Sequence, residues 1–407
     1  DRRDDPRSAS GEVSYFGLQG PIPDLKAKQT VSEIFGELVV PVLRDLPLIH
    51  RLDVEGAYRY SHYKDTFGGT NTWKAGATWE PIAGVSIRGV RSRSVRAPNF
   101  GELYGPQTSA PSGSPADTCM GVSYYLSATR TANCKALGID APLAYNQLGP
   151  LVISGGNPDL KPETSDSLTL GVVLQPRFLP GFDATVDFWD IDIRDVIASF
   201  SSSDVYRLCT DLPTIENVFC ESTVRDPVTH LATEQRTFLV NAQQAKRRGI
   251  DFGARYRTNL GAGTLGFSFK GSYLIEAITR TTPGIEAGDV ISTGNYLNPR
   301  FRGTLISNYS TDKFDAVLNT RFISAARYAV GRTITDESYP DGLNRIAPVA
   351  YNDISLGYRV DERFRISFGI QNILDVQPKE IQAVQYGGSG QYDTIGRYFF
   401  TNVSITL

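Results

Sequence analysis

Apolar and polar residues alternate along most of this chain, and no other feature limits its fold as strongly. In RLDVEGAYRY, Leu52, Val54, Tyr58 and Tyr60 share one phase, and Arg51, Asp53, Glu55 and Arg59 share the other. GIDFGARYRT sets Ile250, Phe252, Ala254 and Tyr256 against Asp251, Arg255 and Arg257. RFRISFGIQN sets Phe364, Ile366, Phe368 and Ile370 against Arg363, Arg365, Ser367 and Gln371. Period two is the signature of a β-strand with one apolar and one charged face. A weak first run covers Gly11–Leu18, followed by Thr30–Val42, His50–His62, Asn71–Glu80, Val85–Arg93 and Thr164–Gln175. The pattern resumes at Phe182–Arg194, Lys246–Thr258, Thr264–Glu276, Arg300–Ser310 and Phe314–Ala325, and ends with Val349–Val360, Arg363–Ile373 and Gly396–Leu407. That makes about fourteen strands of roughly 9–13 residues, long enough to cross a bilayer at a tilt.

A soluble sandwich alternates too, so the connections decide between them. One set is short: Leu43–Ile49, Pro81–Gly84, Pro176–Gly181, Asn259–Gly263, Thr311–Lys313 and Asp361–Glu362. The set that alternates with it is long at 94–163, 195–245, 277–299, 326–348 and 374–395, and brief only at 63–70. Sorting short turns to one end and long loops to the other is what an outer-membrane barrel does. The expected fold is therefore all-β: an antiparallel transmembrane β-barrel with short periplasmic turns and long extracellular loops. Trp73 and Trp79 flank Ala75 and Ala77 in one phase as girdle residues would, and at about 20 Å apart along the strand they bracket a lipid band only partly. In FDATVDFWDIDIRD the apolar phase switches from Phe188 to Trp189, which predicts a bulge or strand end there.

Composition agrees and excludes other classes. Thirty-eight glycines, twenty tyrosines and twenty phenylalanines in 407 residues favour turns and strands. A net charge of −3 provides no basic field for nucleic acid. No apolar run is long enough for a membrane helix. The opening DRRDDPRSAS has neither the basic start nor the apolar core of a signal peptide, so the chain reads as the interior of a longer product.

Two stretches carry more than alternation. GGNPDLKPETSDSLTLGV, from Gly155, resembles the NPxLKPE segment of TonB-dependent outer-membrane receptors, and SRSVRAPNFGELYGP at Ser92–Pro106 is similar to another segment of that family. VDFWDIDIRDVI at Val186–Ile197 and GIQNILDVQP at Gly369–Pro378 match two further landmarks in the same order. The resemblance implies a 22-strand barrel filled by an N-terminal plug and preceded by a TonB box. Residues 1–407 would be the C-terminal portion of that barrel, with plug and TonB box absent from the chain. It implies an active importer of the bacterial outer membrane, powered through the TonB system and taking up a scarce small molecule: a ferric siderophore, a carbohydrate or a cobalamin. The alternative is a passive porin. Within the motif itself, Pro158 and Pro162 fix φ where a long loop re-enters the sheet, and a structural turn accounts for every residue.

Cysteine chemistry points outward. Four cysteines allow three connectivities, and proximity favours Cys119–Cys134 and Cys209–Cys220, both within the long loops. Disulfides there fit an oxidising compartment. The three histidines, His50, His62 and His230, share no metal-ligand spacing, and no nucleophile motif is present, so neither a metal site, a cofactor nor an enzyme is expected. Candidate ligand contacts are the loop aromatics Tyr124, Tyr125, Tyr145, Tyr386 and Tyr392, able to stack on a ring, and Arg255 and Arg257 of the charged face, able to meet an anion. That face also carries Arg51, Arg59, Arg88, Arg302, Arg321, Arg363 and Arg365 together with Asp53, Glu55, Asp251 and Asp315, so mutual pairing is the competing role for its charges.

Overall fold

The structure is a computed structural model. It describes residues 26–64, 66–112, 117–144, 149–280, 289–328, 330, 344–377 and 391–405. The run at Gly11–Leu18 lies outside them.

Four long strands come first: β1 (Thr30–Leu46), β2 (Ile49–Lys64), β3 (Gly68–Ile82) and β4 (Val85–Arg96). The long connection after them holds α1 (Phe100–Tyr104), β5 (Thr108–Pro111), a 3-10 turn at Gly121–Tyr125, α2 (Ala128–Ala136) and β6 (Leu151–Ser154). The chain returns in β7 (Glu163–Leu174) and β8 (Phe182–Ala198). A second long connection holds α3 (Ser202–Asp211), α4 (Val218–Glu221), β9 (Thr223–Arg225) and β10 (Ala232–Arg236). Then follow β11 (Val240–Leu260), β12 (Gly263–Arg280), the short β13 (Asp289–Ile291), β14 (Phe301–Ser310) and β15 (Phe314–Ile323). The two-residue strands β16 (Ala326–Arg327) and β17 (Arg345–Ile346) precede β18 (Val349–Arg359), β19 (Phe364–Gln371) and β20 (Tyr398–Ile405).

The long strands form one antiparallel sheet in the order β1-β2-β3-β4-β7-β8-β11-β12-β14-β15-β18-β19-β20, each beside its predecessor on the path. Every predicted run from Thr30 onward falls on one of them. Register keeps like with like: Leu52 opposes Trp79, Val54 opposes Ala77, and Tyr58 opposes Trp73, so both tryptophans sit on the apolar face. On the next pairs Phe188 opposes Ile250, and Tyr256 opposes Phe267. A one-residue slip anywhere would send these rings to the charged side.

Glycine closes two of the short turns. Gly84 has φ +88° and Gly181 +82°. A Cβ at either would lie 2.3 or 2.2 Å from a neighbouring strand's carbonyl oxygen, that of Gln175 or of Arg257, so no larger residue fits. Among the described residues the sheet is open: β1 pairs only with β2, and β20 only with β19. All seventeen residues of β1 are exposed. Two free edges of this kind are a template for further strands.

The expected bulge at Phe188–Trp189 is not there. β8 runs through that point in unbroken register with both β7 and β11. Irregularities lie elsewhere: on β12, where Glu276 opposes Arg248 and Leu274 opposes Gly249, and five residues further along β8, where Ala245 opposes Ile193 and Gln243 opposes Val196. What inverts on β8 is chemistry, not backbone. Beyond Phe188 the formerly apolar face carries Asp190 and Asp192, and Trp189, Ile191 and Ile193 turn to the other. The charges are met in register, Arg248 with Asp190 at 2.6 Å and Arg93 with Asp166 at 2.8 Å. A strand that rises out of an apolar layer into water needs such a swap. Trp189 packs on Gly249, where a Cβ would come within 2.4 Å of the ring.

Candidate functional site

The long-loop end is capped. Residues from the β4–β7 and β8–β11 connections fold into one small body with its own core and a four-stranded sheet, β5-β6-β10-β9. Within it β6 and β10 pair in parallel, Gln235 opposite Val152, so strands of the two connections share a ladder. Local signals start its helices. Ser127 accepts from the Arg130 amide and Ser201 from the Asp204 amide, the usual N-cap bond.

Each connection carries one disulfide, Cys119–Cys134 and Cys209–Cys220. Bonds between the connections then join the halves. Arg225 grips Asp117 through both carboxylate oxygens, at 2.6 and 3.2 Å, with the Asp117 side chain only 1 % exposed. Arg130 does the same to Asp211 at 2.7 Å on both arms. Asn133 donates to the carbonyls of Thr210 and Leu212, and the Thr118 and Thr210 hydroxyls meet at 2.8 Å. Leu137 packs against both the Tyr124–Ile139 cluster and the Phe200–Phe219 cluster. Burial first, and then the Asp117 carboxylate, push the Tyr206 phenol well above its ordinary range, against the opposing pull of Arg225. Tyr206 therefore stays neutral and structural.

The two motif segments form the clasp on which this cap stands. Asn99 and Glu102 make a reciprocal capping box at α1. Arg96 bonds Glu102 at 3.0 Å and Glu163 at 2.6 Å, and Glu163 also accepts the Ile197 amide. Asn157 accepts the Asp159 amide on its side-chain oxygen, donates its backbone amide to the Glu102 carbonyl, and donates its side-chain amide to the Leu239 carbonyl. Asn241 closes the clasp through the Lys161 amide and carbonyl. The side chains of Asn157 and Glu163 and the Lys161 amide all bond to protein, as a structural turn requires. Between this turn and the cap lies a cavity of about 350 Å³, walled by Phe200, Phe219, Phe238, Asn157 and Arg236.

The candidate contacts separate. Tyr124 is 1 % exposed, and its hydroxyl donates to the Ile139 carbonyl at 2.9 Å, so it is core and offers no face to a ligand. Tyr125 is 67 % exposed at the tip of the cap beside Val122 and Leu126. Tyr392 is 7 % exposed, buried with Ile323, Ile346 and Tyr351 at the long-loop end of β15 and β18. Tyr145 and Tyr386 lie outside the described residues. Arg255 and Arg257 take the charged face but near the short turns, remote from the cap along β11. Arg255 is held by Asp183 at 3.1 Å, and the Arg257 amide serves the Gly181 turn. They are poorly placed for capture at the loops. On the same face Arg88 pairs with Asp187 at 2.7 Å, Lys74 with Glu55 at 2.9 Å, Arg365 with Asp315 at 2.7 Å, and Arg51 with Asp53. Arg363 stands in the turn before β19. Sequence reasoning missed the cross-connection residues Asp117, Arg130, Asp211 and Arg225. Nothing local marks them, since their partners lie some eighty residues or more away.

Long alternating strands, sorted loops and a motif clasp under a stapled cap define one architecture. A family model described as "TonB dependent receptor-like, beta-barrel" matches residues 2–373. The chain belongs to that family. The barrel sheet is accordingly one of the bacterial outer membrane. Solved structures share the fold: a mutant of the ferric enterobactin receptor PfeA of Pseudomonas aeruginosa aligns at 16 % identity and TM-score 0.62, over 99 % of this chain and 49 % of that one. The siderophore receptor PirA of Acinetobacter baumannii aligns at 15 % and 0.60, over 98 % and 49 %. The outer-membrane transporter YddB of Escherichia coli aligns at 12 % and 0.56, over 93 % and 45 %. The chain thus spans about half the length of these proteins.

Proposed function

We propose that this chain contributes barrel strands and ligand-capturing loops to an outer-membrane importer driven through TonB, with a scarce small molecule as cargo. The plug and TonB box of that importer would be supplied by sequence outside residues 1–407, in keeping with coverage of about half of the solved receptors. Its apolar face meets lipid, and its charged face meets the plug and the passing ligand. One observation carries the reading: the two longest connections are spent on a single covalently stapled cap at one end of the sheet. A passive pore has no use for a rigid body over its mouth, whereas a receptor needs a preorganised surface to bind before it transports. A ferric siderophore is the first cargo to try, because the solved neighbours named above include receptors for such compounds.

The test is growth and radiolabelled iron uptake by cells carrying the complete receptor with a panel of ferric siderophores, with and without a functional TonB system. Saturable uptake that stops when TonB is deleted is the expected result. Uptake of small solutes in general, unsaturable and unchanged without TonB, would instead identify a porin.

A further inference from the structure

The phase that carries Trp73 and Trp79 does not stay apolar along its whole length. On β4 it runs Ile87, Gly89, Arg91, Arg93, in register with Trp79, Ala77, Ala75 and Trp73 of β3. Across β7 and β8, Gly89 lies in line with Leu170 and Phe188. One pair further on, Arg91 lies in line with Leu168 and Asp190, and then Arg93 with Asp166 and Asp192. Charge therefore begins at Arg91, one pair before the row of Trp73 and still on the apolar side of that tryptophan.

Most of these charges answer one another. Arg93 holds both oxygens of Asp166, at 2.8 and 2.9 Å, and Arg248 holds Asp190 at 2.6 Å. Arg194 reaches Asp192 at 3.5 Å, and Lys246 reaches Glu276 at 3.4 Å. Arg91 is the exception. It is exposed, and among the described residues it has neither an ion pair nor a side-chain hydrogen bond, the carboxylates beside it being held by Arg93 and Arg248. Arg93, about 7 Å along the strand, spends Nε and Nη2 on Asp166, and its Nη1 has no hydrogen bond among the described residues.

An arginine on a lipid-facing phase costs about 2–4 kcal/mol at the bilayer midplane and falls to about 0–1 near the interface. A long stem lets its head reach the polar layer while its methylenes cover apolar neighbours, here Ala75 and Leu168 to either side. The first anion met on leaving the hydrocarbon is a headgroup phosphate, whose oxygens match the guanidinium fork. We infer that Arg91, with the free arm of Arg93, binds the phosphate of a lipid headgroup at the long-loop rim of the sheet. The inference rests on the reading above that this face meets lipid.

Phosphatidic acid is the probe, and digalactosyl diglyceride, which has no phosphate, is the control. Native mass spectrometry of the full chain in non-ionic detergent follows lipid binding to the unaltered protein, to Arg91→Gln and to Arg88→Gln, whose arginine lies on the opposite face of the same strand. Loss of one charge-assisted contact should weaken phosphatidic acid by about tenfold in Arg91→Gln and leave Arg88→Gln within about twofold. In the unaltered chain, phosphatidic acid should slow modification of Arg91 by phenylglyoxal, read by peptide mass spectrometry, whether or not the variants fold. Equal affinity in both variants, equal binding of the galactolipid, or no protection of Arg91 overturns the site. Displacement of phosphatidic acid by millimolar inorganic phosphate overturns the lipid as its occupant and assigns it to a free anion. In liposomes with brominated acyl chains, quenching of Trp73 without protection of Arg91 removes the phosphate site and leaves the lipid face standing. Protection of Arg91 with Trp73 unquenched does the reverse.

Discussion

The sheet and the cap solve the same problem, covering apolar surface, in opposite ways. The sheet keeps rings such as Phe252, Phe267 and Phe368 on one phase, the one proposed above to face lipid. The cap turns Tyr124, Tyr206, Leu208 and Phe219 inward, each less than a tenth exposed, and closes them with two disulfides. Their ion pairs differ accordingly. On the sheet the pairs line an open wall, and Arg255 remains 69 % exposed beside Asp183. In the cap Asp117 and Arg225 are 1 % and 11 % exposed. A pair of the first kind tunes a surface, and a pair of the second holds a body together.

That contrast breaks most sharply at Arg225. Arg225→Ala leaves the Asp117 carboxylate buried and unpaired, a cost of about 3–5 kcal/mol. Limited proteolysis should then cut the β4–β7 and β8–β11 connections together, with the sheet intact by heat-modifiable gel migration. Cutting in the second connection alone would show that the cap is two bodies. Next in size, Phe252→Arg should cost about 2–4 kcal/mol in liposome refolding. Val122→Arg, at an 88 % exposed position of the cap, should stay within about 0.5 kcal/mol. Equal costs would mean that the two outer surfaces meet the same solvent. Arg255→Gln should cost less than about 1 kcal/mol by the same refolding measurement, as exposed pairs do.

The smallest effect is on pH. The Thr229 amide and hydroxyl, with the Val228 amide, hold the Asp226 carboxyl below its ordinary range. A folded pKa below the unfolded one stabilises the turn above the unfolded value of about 4, and that stability is lost as pH falls through the folded value. Amide exchange at Val228 and Thr229 should therefore accelerate, relative to intrinsic rates, only in acid.

How much was legible follows the same division. Period two is local, so each strand from Thr30 on could be read within its own residues, and its lengths erred mainly by stopping short, as at Lys246–Thr258 inside β11. The β8 inversion was visible in sequence, but its cause was not. A phase switch reads as a bulge unless the depth at which a strand leaves the apolar layer is known. The cap is different in kind. Its core joins residues from two connections without any period, and Tyr124, an aromatic in a Ser-rich loop, looked the same as a ligand contact. Ser201 with Asp204 three residues on, and Asn99 with Glu102, are local helix-start signals that a reading built on alternation did not use. The pairs between the connections had no local sign at all.

The claim beneath all of this is that the face bearing Trp73 and Trp79 touches lipid and the face bearing Trp189 does not. The chain has three tryptophans, so changing two at a time to Phe isolates each one. In liposomes containing brominated acyl chains, fluorescence of Trp73 and of Trp79 should be strongly quenched, and that of Trp189 little changed. Strong quenching of Trp189, with Trp73 and Trp79 bright, would contradict the account.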